Sequence, residues 1–211
     1  KLCTIAAGML DCAPEHAQFE GNRIRNTQTG KTVSLSEIAY GAQVGCSEPA
    51  EVTATHSSPV SPPPYMVGMA EIELDRETGL VTILDYMAVV DCGTPINPAL
   101  ARIQAEGGIV QGIGHTLMEN VTYDQHGRPM ESSFMQYKIP TRLDMGRLRV
   151  EFESSYEETG PFGAKSIGEI VINTPAPAIA DAVYNATGLR FRTLPITAEQ
   201  VLMGLLDKEE A

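Results

Sequence analysis

The chain has 211 residues, 43% of them hydrophobic, which suits a single domain or a two-lobed unit with a sizeable core. Its 27 acidic residues against 15 lysines and arginines give a formal net charge of −12, which opposes binding to nucleic acid or to anionic membranes because both need a basic surface. No run approaches the ~20 consecutive apolar residues of a membrane helix, and residues 1–8 lack a secretory-signal pattern, so we expect a cytoplasmic protein.

The cysteines and histidines are scattered along the chain. None of the four cysteines forms a C-x-x-C pair, and the four histidines lack the spacing of metal ligands. We therefore expect no zinc site, no iron–sulfur cluster and no metal held directly by side chains. These residues are Cys3, Cys12, Cys46 and Cys92, and His16, His56, His115 and His126.

The first third of the sequence predicts short mixed elements. We expect a helix over 2–10, a hairpin over 17–25 around Gly21 and Asn22, and a helix through Ala42 that opens with the capping box Ser34-x-x-Glu37. Residues 51–57 resemble a strand. Four prolines in residues 57–64 then predict a loop and an internal hinge within one domain, 1–211.

The clearest β signal follows this loop. Residues 67–74 and 80–90 both alternate apolar and polar side chains, and a Gly-containing turn at 75–79 separates them. This pattern predicts a long antiparallel hairpin. Long hairpins with packed helices place the fold in the α+β class.

A glycine-rich helix is predicted to begin at Asn97, with Pro98 at its first position. Leu100, Ile103, Gly107 and Val110 recur at helical spacing and predict one buried face. The four glycines of this helix weaken it by ~1 kcal/mol each relative to alanine, so something must approach its backbone closely: another helix, a strand or a flat ligand. They are Gly107, Gly108, Gly112 and Gly114.

The last third predicts short strands at 121–123 and 149–154, with a turn at 124–127. A helix is expected to open at Thr174-Pro175 and to end at Gly188. A second capping box, formed by Thr197 and Gln200, predicts a terminal helix to Leu206.

Residues 160–169, GPFGAKSIGE, are the most unusual local sequence. Three glycines indicate a loop whose backbone approaches another group, and the loop ends at Glu169, which the apolar run IVI follows. Burial against that run would raise the pKa of the carboxyl group and suit a general base. Taken alone, such a loop more often carries a surface glutamate.

Gln104 belongs to the motif QAEGGIVQG at 104–112 and stands beside the bare backbone of Gly107 and Gly108. An amide side chain there offers both a donor and an acceptor to a polar planar ligand. The glycine pattern is not a dinucleotide-binding fingerprint, because it lies inside a helix instead of after a strand.

Four ordered segments resemble the C-terminal region of the molybdenum-cofactor-binding subunit of xanthine dehydrogenases, aldehyde oxidoreductases and related molybdenum hydroxylases. They are YMAVVDCGTPIN at 86–97, QAEGGIVQG at 104–112, GAKSIGE at 163–169 and AIADAVYNATGLRFRTLPI at 178–196. The resemblance implies that Glu169 is the catalytic base and that Gln104 hydrogen-bonds the pterin. It implies that the following residues lie against the cofactor: Gly107, Gly108, Gly163, Ala164, Lys165, Ser166, Ile167 and Gly168. For Lys165 we expect a structural role, and for Asp91, Cys92 and Gly93 a role in maintaining the fold.

The resemblance also implies an activity and partners. We expect hydroxylation of a purine such as xanthine, or of another N-heteroaromatic compound, with water as the oxygen source. Aldehyde oxidoreductase, carbon monoxide dehydrogenase and hydroxybenzoyl-CoA reductase activities stay open. The cofactor would be a molybdenum–pterin (molybdopterin), in a simple or cytosine dinucleotide form, with 2Fe–2S clusters and FAD on other domains or subunits.

The family's substrate-binding half lies upstream of the matching region, so this chain would hold half of a cofactor site. Half a site makes only part of the contacts, and we expect neither bound cofactor nor activity from this polypeptide alone. Exposed apolar faces would favour its self-association. A non-catalytic scaffold or binding module that retains the fold is the alternative, and an intact Glu169 loop favours the enzyme.

Overall fold

The structure is a computed structural model and describes residues 1–45, 50–55 and 57–210. The chain divides into two compact units, Lys1–Ser57 and Ser58–Ala211. The boundary falls at the start of the proline-rich stretch 57–64, where the hinge stays a prediction. Across the described residues, no helix combines the length and apolar content needed to cross a membrane.

The first unit is a small sheet with two helices. The sheet is antiparallel in the order β1-β2-β3, and its core includes Ile5, Ile24 and Ile38. The expected capping box is present, since Ser34 Oγ accepts a hydrogen bond from Glu37 N at 3.2 Å and Ser34 N donates to Glu37 Oε2 at 2.8 Å. The elements are α1 (Leu2–Met9), β1 (Ala17–Glu20), β2 (Arg23–Asn26), β3 (Thr32–Ser34) and α2 (Leu35–Val44).

The strand predicted over 51–57 is wrong for the residues described there, because 51–55 and 57 have no regular secondary structure. An extended segment becomes a strand only by pairing with a neighbour, and none of the described strands pairs with it. Cys46 and His56 lie outside the described residues.

The second unit contains a three-stranded sheet covered by helices. Strands β4 and β5 form the predicted antiparallel hairpin, with Val67 opposite Val89, and β6 pairs parallel to β5. Helices α3 and α5 pack in one core with the sheet, around Tyr86, Ile109 and Ile179. The elements are β4 (Tyr65–Leu74), β5 (Val81–Asp91), α3 (Pro98–Leu117), β6 (Arg147–Phe152), α4 (Ile170–Asn173), α5 (Pro175–Thr187) and α6 (Ala198–Glu210).

Several helix boundaries agree with the sequence. Asn97 Oδ1 caps α3 by accepting from Leu100 N at 3.1 Å, Gly188 ends α5 in the left-handed conformation, and Thr197 and Gln200 exchange the two hydrogen bonds of the second capping box. The strand predicted at 121–123 is wrong: only Tyr123 is bridged, to Pro129.

The predicted buried face of α3 is also wrong. Leu100 and Ile103 are 62% and 65% exposed, whereas the buried positions include Ala105, Ile109 and Ile113. Helix α3 is apolar on more than one side, so periodicity alone does not identify the side that the core covers. The exposed side borders the clefts described next.

Candidate active site

A cleft of about 650 Å³ lies between one face of α3 and the segment that runs into α4. It brings together five residues predicted for the site, although they lie up to 65 positions apart in the sequence: Gln104, Gly107, Gly108, Gly168 and Glu169. Ile103, Gln111, Ile172 and Asn173 complete the lining.

Helix α3 forms one wall because Gln104, Gly107, Gly108 and Gln111 fall on one side at helical spacing. Their environments differ. No atom lies within 4 Å of the point where a Cβ on Gly107 would stand, whereas a Cβ on Gly108 would lie 2.2 Å from Cγ2 of Val171. Gly108 therefore lets α4 pack against α3, and Gly107 leaves bare backbone at the cleft.

Gln104 connects the two walls. Its Nε2 donates a hydrogen bond to the carbonyl oxygen of Gly168 at 3.1 Å. The amide keeps a second N–H and a carbonyl oxygen that can accept further bonds. Gln104 thus holds the backbone immediately before Glu169 and still offers polar atoms to a ligand.

Glu169 lies at the start of α4, but its side chain does not cap that helix. The side chain is exposed and lines the cleft, so the burial expected from the following apolar run is wrong. The reason is the helical turn after Glu169, which points Val171 into the core at 0% exposure and leaves the carboxylate on the open side.

The loop before Glu169 is attached to the end of β5 by backbone hydrogen bonds. Thr94 N donates to Gly163 O at 2.8 Å, and Lys165 N donates to Cys92 O at 2.7 Å. Gly163 has φ +83°, and a Cβ there would lie 2.4 Å from the ring of Tyr156. Only glycine satisfies both conditions without strain.

The Lys165 side chain forms an ion pair below this loop. Its Nζ lies 2.5 Å from Asp91 Oδ2, and the two side chains are only 9% and 19% exposed. Asp91 Oδ1 accepts hydrogen bonds from Ser155 Oγ at 2.5 Å and from Gly93 N at 3.0 Å. The Lys165 ammonium and the Ser155 hydroxyl lower the pKa of Asp91 to about 2. These contacts support the structural roles expected for Lys165 and Asp91.

A second cleft, of about 460 Å³, adjoins the first and shares Gln104 and Gly168 with it. Ala164, Lys165 and Ile167 line this second cleft. The structure therefore divides the predicted loop residues between two clefts. Ser166 lines neither of them and is exposed, and Gly163 is buried behind the loop.

Gln111 and Asn173 were not predicted for the site, although their amide side chains also line the first cleft. Gln111 could have been found, because it lies seven residues after Gln104 and therefore on the same helical face. Asn173 follows an apolar run and carried no comparable signal. Among the described residues, no group of three or more His, Cys, Asp or Glu side chains is placed to hold a metal ion.

Comparison with solved structures supports the fold. Quinoline 2-oxidoreductase from Pseudomonas putida 86 superposes with a TM-score of 0.75 at 26% identity, over 98% of this chain and 28% of that one. The agreement extends over both units of the chain and confirms the α+β class that the sequence predicted.

Two sequence relatives are informative. A probable hypoxanthine oxidase of Escherichia coli is 37% identical over 175 residues, which are 82% of this chain and 18% of the relative. The molybdenum-binding subunit of an Escherichia coli aldehyde oxidoreductase is 31% identical over 209 residues, which are 98% of this chain and 28% of the relative. The chain thus spans less than a third of the length of either relative.

A family model described as molybdopterin cofactor-binding domain matches residues 1–146, well over half of the chain. The match includes the α3 wall of the first cleft, with Gln104, Gly107 and Gly108. Together with the sequence relatives, it shows that this chain belongs to the molybdopterin cofactor-binding domain family.

Proposed function

We propose that this chain supplies one side of the cofactor site of a molybdenum hydroxylase and that Glu169 is the catalytic base of that enzyme. One observation carries the proposal: a single cleft brings the Glu169 carboxylate together with Gln104 and with the uncovered backbone of Gly107. The sequence resemblance implies cofactor-site roles for the same three residues.

The residues of the cleft fit a flat, polar cofactor. Space is open beside both Gly107 and Gly168, where a Cβ would meet no atom within 4 Å. The amide side chains of Gln104, Gln111 and Asn173 line that space, and each can both donate and accept hydrogen bonds. We assign the pterin to Gln104, Gln111 and the backbone at Gly107.

When bound, the molybdenum–pterin cofactor supplies the two-electron redox chemistry of a hydroxylation whose oxygen comes from water. Within this chain, Glu169 accepts the proton released as the oxygen nucleophile forms. Its exposure on the cleft side leaves its oxygens accessible for that transfer. The hydrogen bond from Gln104 to Gly168 orients the residue next to it.

For the substrate, we favour a purine or another N-heteroaromatic compound. The relative described as a probable hypoxanthine oxidase is 37% identical to this chain, against 31% for the aldehyde oxidoreductase subunit. The matching structure of quinoline 2-oxidoreductase is named for a planar N-heteroaromatic compound. An aldehyde is the alternative that a substrate panel must test.

The proposal requires further polypeptide, because the chain spans 18% and 28% of the length of these relatives. We propose that the rest of a molybdenum subunit closes the cleft and contributes the substrate-binding residues. Iron–sulfur and flavin domains or subunits would carry the electrons away. On this proposal, the 211-residue chain alone has no turnover.

The decisive experiment replaces Glu169 by glutamine in the complete subunit, loaded with cofactor. Glu169→Gln keeps the size and polarity of the side chain but removes the base, so we expect turnover to fall by ~10²–10⁴-fold. Molybdenum and pterin content should stay unchanged. The matched control is Glu158→Gln in the same region, since Glu158 is exposed and lines neither cleft.

Unchanged turnover in a molybdenum-replete Glu169→Gln enzyme would rule out this residue as the base. A complete subunit that never binds molybdenum would favour the scaffold alternative. Assaying the wild-type enzyme with xanthine, hypoxanthine, quinoline and an aromatic aldehyde tests the substrate class, and a preference for the aldehyde would contradict the purine assignment.

A further inference from the structure

The loop that carries Glu169 has few regular contacts of its own. Between β6 and α4 the chain forms one short 3₁₀ turn, Pro161–Gly163, and one isolated bridge, Ala164 with Gly93. Two backbone hydrogen bonds, Thr94 N to Gly163 O and Lys165 N to Cys92 O, also join this segment to the residues that follow β5. A segment with so few backbone contacts opens easily unless side chains also anchor it. The question is which contacts keep Glu169 at the cleft.

The anchor lies four residues before Glu169. Lys165 extends under the loop to Asp91 at the last position of β5, and their charged atoms are 2.5 Å apart. The Lys165 ammonium also lies 5.4 Å from the centre of the Tyr65 ring at the first position of β4. Lys165 thus attaches the loop to both strands of the hairpin at one end of the sheet.

Asp91 is itself held by two further donors, the Ser155 hydroxyl and the Gly93 amide. Ser155 belongs to the segment that follows β6, so three chain segments meet at one carboxylate. Because the pair is largely shielded from water, removing either charge leaves the other without compensation in a poorly hydrated position. Loss of this pair should therefore disturb the loop more than the loss of a fully exposed ion pair would.

The stretch from Lys165 to Glu169 is short and is fixed at several points. Ile167 packs against the hydrophobic core, and the Gly168 carbonyl accepts the hydrogen bond from Gln104. Lys165, Ile167 and Gly168 are thus three successive attachment points of the stretch that leads to Glu169, and loss of the Lys165 contact removes the first of them.

We infer that Asp91 and Lys165 form a positioning pair that holds the loop 163–168, and with it Glu169, at the cleft. Loss of their charge interaction therefore loosens this loop and misplaces Glu169. This inference rests on the proposed role of Glu169. Neither side chain lines the first cleft, so the pair acts through the loop and not on the reacting atoms.

The chain offers a matched control. Asp181 and Arg190 also form an ion pair, at 2.7 Å, and the Arg190 guanidinium likewise lies over an aromatic ring, that of Tyr184, at 3.8 Å. Both charged side chains are more than half exposed, and neither lines the two clefts. Asp181→Asn therefore removes the same kind of interaction away from the site.

The experiment compares Asp91→Asn, Lys165→Arg and Asp181→Asn in the complete, cofactor-loaded subunit. For Asp91→Asn we expect amide hydrogen exchange over residues 163–168 to speed up by ~10-fold or more. We expect kcat to fall by ~10–100-fold, with molybdenum content and KM little changed. Lys165→Arg keeps the positive charge, so its exchange rate over 163–168 and its kcat should stay near the wild-type values. Asp181→Asn should change neither quantity.

Unchanged exchange in Asp91→Asn would overturn the inference, as would faster exchange with wild-type kcat. If Asp91→Asn does not fold, Lys165→Gln removes the charge interaction and leaves the hydrogen bonds from Ser155 and Gly93 to Asp91 in place. It should also raise the exchange rate over 163–168, and no increase there would likewise overturn the inference. The exchange rate does not depend on the role of Glu169, so the two tests can fail separately. Wild-type turnover in Glu169→Gln contradicts the proposed function, whereas unchanged exchange in Asp91→Asn contradicts the positioning pair.

Discussion

At the scale of single residues, Gly107 and Gly108 are neighbours in one helix but meet different surroundings. A side chain at Gly108 would collide with Val171, which is fully buried, whereas a side chain at Gly107 would enter open space in the cleft. Gly108 therefore permits the packing of α4 on α3, whereas Gly107 leaves open space at the cleft, although the two glycines look alike in the sequence.

This difference predicts opposite effects of alanine at the two positions. Gly108→Ala overpacks the α3–α4 contact, and we expect it to destabilise the protein by ~1–3 kcal/mol. Gly107→Ala should stabilise α3 by up to ~1 kcal/mol through helix propensity and should lower molybdenum and pterin content. Thermal unfolding and metal analysis of the two variants of the complete subunit check this. Equal destabilisation, or full cofactor content in Gly107→Ala, would contradict it.

At the scale of elements, the attachment of the loop 163–168 to β5 should depend on pH. The pKa of Asp91 is lowered from 3.8 to about 2 in the folded protein, first by the hydrogen bond from Lys165. A carboxyl group whose folded pKa is lowered contributes stability above its unfolded pKa and loses that contribution as pH falls toward the folded value. The contribution is therefore complete above a pH of about 4 and lost as pH falls to about 2.

The measurement is the protection of the Lys165 amide, which donates to Cys92 O, corrected for the intrinsic exchange rate at each pH. Wild-type protection should decrease as pH falls through this window. Asp91→Asn has no carboxylate to titrate and should show low, nearly constant protection. A similar decrease in both proteins would assign the acid sensitivity to another group.

Most elements could be predicted because their signals are local. The capping boxes at Ser34 and Thr197 and the Asn97 cap require only residues within one turn of chain. The side of α3 that is buried could not be predicted, because Leu100 and Ile109 are both apolar and only the position of the sheet and α4 decides between them. The strand expected at 51–57 failed for a related reason, since strand formation depends on a distant partner.

At the scale of the whole molecule, the outer face of the hairpin exposes apolar side chains. Val67 and Met69 on β4 are 65% and 55% exposed and lie opposite Val89 and Met87 of β5. Contiguous apolar surface of this kind usually contacts a partner or promotes association. The net charge of −12 opposes association, because copies of the chain repel one another. Association that buries this face therefore requires a sufficient concentration of the chain.

We therefore predict that the 211-residue chain, produced alone, self-associates in a concentration-dependent manner. The double variant Val67→Lys, Met69→Lys should lower the average mass measured by sedimentation. Glu73→Lys, also on the exposed face of β4, raises the net charge by the same two units without removing apolar surface and should have little effect. If both variants lower the mass equally, the loss of apolar surface is not the cause, and the assignment of association to this face is wrong.

The sequence was sufficient to predict the family, the fold class, the hairpin and the motifs around Gln104 and Glu169. These depend on order and spacing along the chain, which folding does not change. Folding, in contrast, sets the exposure of Glu169 at a cleft, the different surroundings of Gly107 and Gly108, the presence of Gln111 and Asn173 in that cleft, and the ion pair of Asp91 with Lys165. Each of these depends on contacts between segments that are distant in sequence, and such contacts exist only after helices and strands have packed together.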